Sequence, residues 1–178
     1  MHPARHRALR ELGAFARQMA DHWTSLGDRL DGPAGGALRD GAAAATEILA
    51  AVRLLASARD LEIGRAALGA GRVARARPPV PDAVLEHNQA LRFALLDGEH
   101  LLTLVQYVGA LSAEAHDQEM QRACADWAAA LRTPVTAARD AAIALGSDPD
   151  TAIEPLSPGH KLTFLLGWLG EAADRRAR

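Results

Sequence analysis

Leu9, Leu12, Ala16, Met19, Trp23, Leu26 and Leu30 recur at alternating steps of three and four. Only a helix puts residues with that spacing on one side, and a seam so formed is stable only when other helices cover it. The remainder of the chain is read as those covering helices. A first helix is expected over about 3–30, with Pro3 in its first turn, where a missing N–H costs nothing. Asp31-Gly32-Pro33-Ala34-Gly35-Gly36 reads as a stop and a flexible connection. A second helix follows over about 38–68, with Ile48, Val52 and Leu55 on its apolar side.

Residues 69–81, with glycines, three spaced arginines and Pro78-Pro79-Val80-Pro81, read as a solvated linker with polyproline character. A third helix is expected over about 82–112, Asp82 being a good N-cap. Val84, Leu91, Leu95, Gly98, Leu102 and Val105 share a face in it. A fourth is expected over about 115–145, with Met120, Ala123, Cys124, Trp127 and Leu131 inward and Pro134 kinking or splitting it. A loop over 146–155 precedes a tail helix over 158–174. The expected fold is all-α: one domain over 1–178, an antiparallel four-helix bundle with an additional C-terminal helix.

The tail helix carries Leu162, Phe164, Leu165, Leu166, Trp168 and Leu169 almost without interruption. A helix apolar nearly all round does not rest in water. These six residues are therefore the expected interface with a second subunit or another protein partner.

Charge and cysteine content narrow the function. The chain of 178 residues has 20 basic and 22 acidic side chains, a formal net charge of −2. That balance gives no long-range field for nucleic acid. The basic residues are arginine apart from Lys161, and alanine and glycine are abundant, which reads as a GC-rich, bacterial coding bias. Cys124 stands alone, so there is neither an internal disulfide nor a thiolate metal site, and it is expected as a buried structural thiol. Met1–Arg10 has no apolar run of the signal-peptide kind, and no stretch reaches the ~20 apolar residues of a membrane span. A cytoplasmic location is expected.

Glu99-His100 through Leu101–Ala113, followed by Met120, Trp127 and Leu131, resembles the second helical pair of the ferritin-like superfamily. The resemblance covers roughly 85–145 and lies in the pattern: a Glu-His pair, a small-residue helix, a short turn and a partner helix. It implies a crossover between the second and third helices. Gly69 to Asp82 can extend roughly 40 Å at ~3.1 Å per residue, matching the length of such a bundle. An up-down-up-down connection with a short link is the alternative.

The resemblance also implies di-iron or manganese chemistry, which needs a carboxylate from each helix and Glu-x-x-His pairs on two of them. Such pairs are missing here: Ala50, Leu102 and Ala129 stand three residues after Glu47, Glu99 and Asp126. Asp21, His22, Glu47, Glu99 and Asp126 are the residues from which an atypical site would be drawn. At ~100° per residue, however, Asp21, Glu99 and Asp126 turn away from their apolar seams. His87 and His116, on apolar faces 29 positions apart, fall at opposite ends of a hairpin, and with His22 they read as bonded to loop carbonyls.

The expectation is a non-catalytic bundle without cofactor, working by protein–protein association as an adaptor or assembly element. The alternatives are a ferritin-like di-metal oxidoreductase or iron-handling protein, and a small-molecule sensor with a pocket between the Ala- and Gly-rich second and third helices.

Overall fold

The computed structural model describes residues 2–58 and 85–156. Among them the long elements are α1 (Pro3–Gly27), α2 (Gly32–Ser57), α3 (His87–Glu114) and α4 (Gln118–Ala144). A 3₁₀ turn at Leu145–Ser147 leads to the short α5 (Pro149–Ala152). No helix among the described residues is long and apolar enough to cross a membrane. The later part of the expected second helix, the 69–81 linker, the Asp82 start of the third helix and the tail helix with Leu162–Leu169 lie outside the described residues.

All seven residues of the first seam are buried. Helix α1 stops at Gly27, three residues early, and Leu30 completes the seam from the turn that follows. The stretch read as a flexible connection is instead the first turns of α2. Pro33 occupies an early position where its missing N–H is not needed, and Gly32 enters at φ +66°, which other residues avoid. Glu86 and Gln89 form the capping box that opens α3. At the same point His87 N–H donates to Glu154 O (3.0 Å) and Leu156 N–H to Leu85 O (3.1 Å). Asp117 caps α4 through Met120 N–H (3.1 Å). Pro134 lies buried within α4 without splitting it. Pro149–Ala152, expected as loop, is a single helical turn capped by Asp148.

Helix α1 packs against α2 and α3, and α4 packs against α3 and α2; α1 faces α4, and α2 faces α3, across the diagonals. Contacts along the helices give their directions. Phe15 meets His100, Gln18 meets Asp97 and Trp23 meets Ala94, so α3 runs against α1. Trp23 lies against Gly41 and Gly27 against Arg39, so α2 also runs against α1. Helices α2 and α3 are therefore parallel. Ser57 lies about four turns to one side of the Trp23 layer and His87 about three turns to the other, so they stand roughly 40 Å apart. The connection has one long crossover, and the up-down-up-down alternative is excluded.

The Trp23 indole fills the middle of the bundle. A Cβ on Gly41 would fall 2.3 Å from its ring, and one on Gly98 would fall 2.8 Å from its ring and 2.9 Å from Val135. The indole N–H donates to Ala94 O at 3.0 Å. The small residues of α2 and α3 thus admit a large ring from α1. Gly41→Ala is expected to lower the unfolding free energy by about 2–3 kcal/mol through overpacking. Gly36→Ala, with nothing within 4 Å of its Cβ, should raise it by about 0.5–1 kcal/mol. Urea unfolding of the two variants checks both signs.

Candidate functional site

The buried side of α3 that faces α1 is the stripe Ala90, Ala94, Asp97, Leu101, Leu104 and Val108. A carboxylate sits in the middle of it. Asp97 is 8% exposed. Its Oδ2 lies 2.6 Å from His22 Nδ1, and its Oδ1 accepts from Gln18 Nε2 at 3.3 Å. Gln18 and His22 are one turn apart on α1, so both reach the same carboxyl group. Phe15 and Glu11 continue this edge of α1 beside His100, with the Phe15 and His100 rings 4.1 Å apart.

The cluster holds one imidazole in a fixed orientation and joins two antiparallel helices at one register. Burial of a carboxylate is tolerable when its oxygens are hydrogen-bonded, and here both are. Asp97→Ala removes the shared acceptor and should cost about 1–3 kcal/mol in urea unfolding, with Asp97→Asn retaining more of the stability.

The residues considered for a metal site are dispersed. Asp21, Glu47 and Asp126 are exposed on three different helices. Glu99 is half-exposed and ion-paired with Arg139 of α4. His22, expected to meet a loop carbonyl, meets the Asp97 carboxylate instead. Among the described residues no group of three or more His, Cys, Asp or Glu is placed to hold a metal ion. His87 opens α3 and His116 follows its far end, as their separation implied; His116 is exposed, in a turn at φ +53°.

Asp97 was not anticipated. The sequence reading centred the buried face of α3 on Leu91, Leu95 and Leu102, but Leu95 and Leu102 are only partly buried. The signal was the spacing of Asp97 from Ala90, Ala94, Leu101 and Leu104, which reads as one stripe with an acidic residue inside it.

Helices α2 and α3, read from the sequence as able to leave a pocket, face each other across the Trp23 ring, which lies against Gly41 and Gly98. An open groove of about 470 Å³ lies instead between α2 and α4, lined by Pro33, Ala37, Asp40, Ala130, Thr133 and Pro134 among others. Pro134 offers no N–H to the Ala130 carbonyl one turn back. The groove is apolar, shallow and bordered by exposed residues.

Cys124 is buried on α4 against Gly109 of α3. Burial, then the nearby Asp117 charge, push its thiol up from 9.0 to about 11, against a smaller opposing effect of Arg5. The unfolded chain therefore loses the thiol proton first as pH rises. The stability linked to this thiol should be intact below pH 9 and decline between pH 9 and about 11. Unfolding against pH for the native chain and Cys124→Ala should show that decline only in the former, and thiol-reactive dye should label the native protein slowly.

No family model, curated protein or solved structure matches the chain.

Proposed function

We propose that the protein is a non-catalytic, metal-free association module on a ferritin-like bundle, serving as an adaptor or assembly element. The observation that carries this reading is apolar surface left uncovered on a helix whose opposite side is fully packed. Phe93, Leu96 and Tyr107 of α3 are 46%, 46% and 50% exposed. Large apolar groups in one line on a single helix are a recognisable mark of a protein-binding surface. Leu162, Phe164, Leu165, Leu166, Trp168 and Leu169 extend the same reading by their sequence. A cytoplasmic location and a homo-oligomer or protein partner belong to it.

The ferritin-like part is supported by α2 and α3 lying parallel on a diagonal, with a long crossover between them. The metal-free part is supported by what occupies the centre. A ring of inward carboxylates at mid-height would need the space that Trp23, Met19 and Val135 fill. The acidic side chains proposed as ligands stand outside that space.

Metal analysis of protein purified from cells, with light scattering on the same sample, tests the reading. Well under one equivalent of iron or manganese is expected, together with a mass above that of one chain or a co-purifying protein. Removing residues 157–178 should alter the oligomeric state or increase binding of a hydrophobic dye. Stoichiometric iron or manganese would overturn the proposal, as would a monomer without partners that truncation leaves unchanged.

A further inference from the structure

Asp97 is the one acidic side chain buried among the described residues. Its partner is a group whose charge changes near neutrality, since an unperturbed imidazole gives up its proton at about pH 6.5. The joint between α1 and α3 therefore has two chemical forms. With His22 neutral, Nδ1–H donates to a buried carboxylate whose charge is not balanced by the ring. With His22 protonated, the same 2.6 Å contact is an ion pair, and charge holds the two helices in addition to the hydrogen bond.

Two opposing effects decide which form the fold favours. Burial disfavours a charged ring, and a carboxylate in contact favours it. The His22 side chain keeps 22% of its surface in water, so burial acts on it only in part, whereas the Asp97 side chain keeps 10%. The more deeply buried member is the anion, and an anion short of water gains most from a cation beside it. The attraction wins, and the folded chain holds the imidazole proton to higher pH than the unfolded chain does.

The surrounding charges do not reverse this. Among the described residues, α3 contributes His100, one turn beyond Asp97, and its Nε2 is turned to Glu11 of α1 at 3.9 Å. Helix α1 itself contributes Asp21, exposed beside His22, and Arg29 follows two turns on, also exposed. Helix α2 packs on the other flank of α1, where its Arg39 donates to the Gly27 carbonyl. Helix α4 lies across the diagonal, with Arg139 paired to Glu99.

We propose that His22 and Asp97 form an acid-strengthened latch between α1 and α3. The stability it adds is present in full below about pH 6.5 and is lost as pH rises through the higher value of the folded chain. Above that value the hydrogen bond and the apolar packing remain, so α1 is held less tightly on α3 while the bundle stays folded. The inference goes beyond the association reading and does not rest on it.

Proton NMR of the imidazole signals in the full chain tests the latch, with His22→Gln identifying the His22 resonance. His22 is expected to titrate with a midpoint above about pH 6.5, and Asp97→Asn to bring that midpoint down by about one pH unit. A His22 midpoint at or below about 6.5 in the native chain overturns the proposal, whether or not either variant folds. Urea unfolding of the native chain, the two single variants and the double variant separates this pair from the other histidines. The coupling between His22 and Asp97 should favour the folded state at least roughly fivefold more at about pH 5.5 than at about pH 8.5, as a midpoint displaced by about one pH unit requires. Both conditions lie below the range in which the Cys124 thiol contributes. Coupling that is equal at the two pH values, or larger at the higher one, overturns the latch and leaves the association reading untouched.

Discussion

The bundle is built around one indole. Trp23 reaches from α1 into the space where four helices converge, and that space exists because α2 and α3 present glycine there. Gly41 and Gly98 lie on diagonal helices, so the ring fixes a distance that no direct α2–α3 contact sets. An indole buried this deeply needs an acceptor for its N–H, and the Ala94 carbonyl supplies one within α3. One side chain thereby determines both the lateral spacing of three helices and the axial position of α1 along α3. Native cores are close-packed, so a centre filled in this way leaves no room for a second occupant.

The polar cluster lies against this centre and depends on it. Trp23 and His22 are adjacent on α1, and Ala94 and Asp97 are one turn apart on α3. Once the indole N–H has chosen Ala94, His22 can meet only the side chain near the next turn of α3. That residue is Asp97, with Gln18 filling the carboxylate's second oxygen. A slip of one turn between α1 and α3 would leave Asp97 buried without its partners and move the indole off its glycines. The apolar and polar contacts therefore specify the same register, and the polar one raises the cost of every other.

Sequence pattern made the helices legible, and in α1 it made the whole buried face legible, because Leu9 to Leu30 repeat without interruption. It failed where a local rule and a compositional habit disagreed. Gly32-Pro33-Ala34-Gly35-Gly36 has the composition of a linker, yet proline at a helix start and a positive φ at Gly32 are sufficient to begin α2. It failed again on α3, where two apolar stripes and a partly buried third flank compete for the same 28 residues. A single mean face drawn through them fell between the stripes and left Asp97 on no face at all. Connectivity was not legible for a different reason. Parallel and antiparallel pairings of α2 with α3 bury the same residues of each helix, so only contacts made by α1 with both of them distinguish the two.

The crossover has a consequence for the outer surface. With α2 and α3 on a diagonal, each helix of the four has two neighbours and one open flank, and that flank is where charge ordinarily accumulates. Helix α4 follows the rule over most of its length, with Arg132, Arg139 and Asp140 exposed, and near its end leaves one large apolar group, Ile143, 69% exposed. Helix α3 departs from it. Between Arg92 and Glu114 its open flank carries Phe93, Leu96 and Tyr107, while Glu99 is drawn toward Arg139 on the neighbouring helix. Nothing in the packing of the bundle calls for apolar groups there, since the inner stripe of α3 is complete without them. A stable fold can carry scattered apolar residues on its surface at little cost.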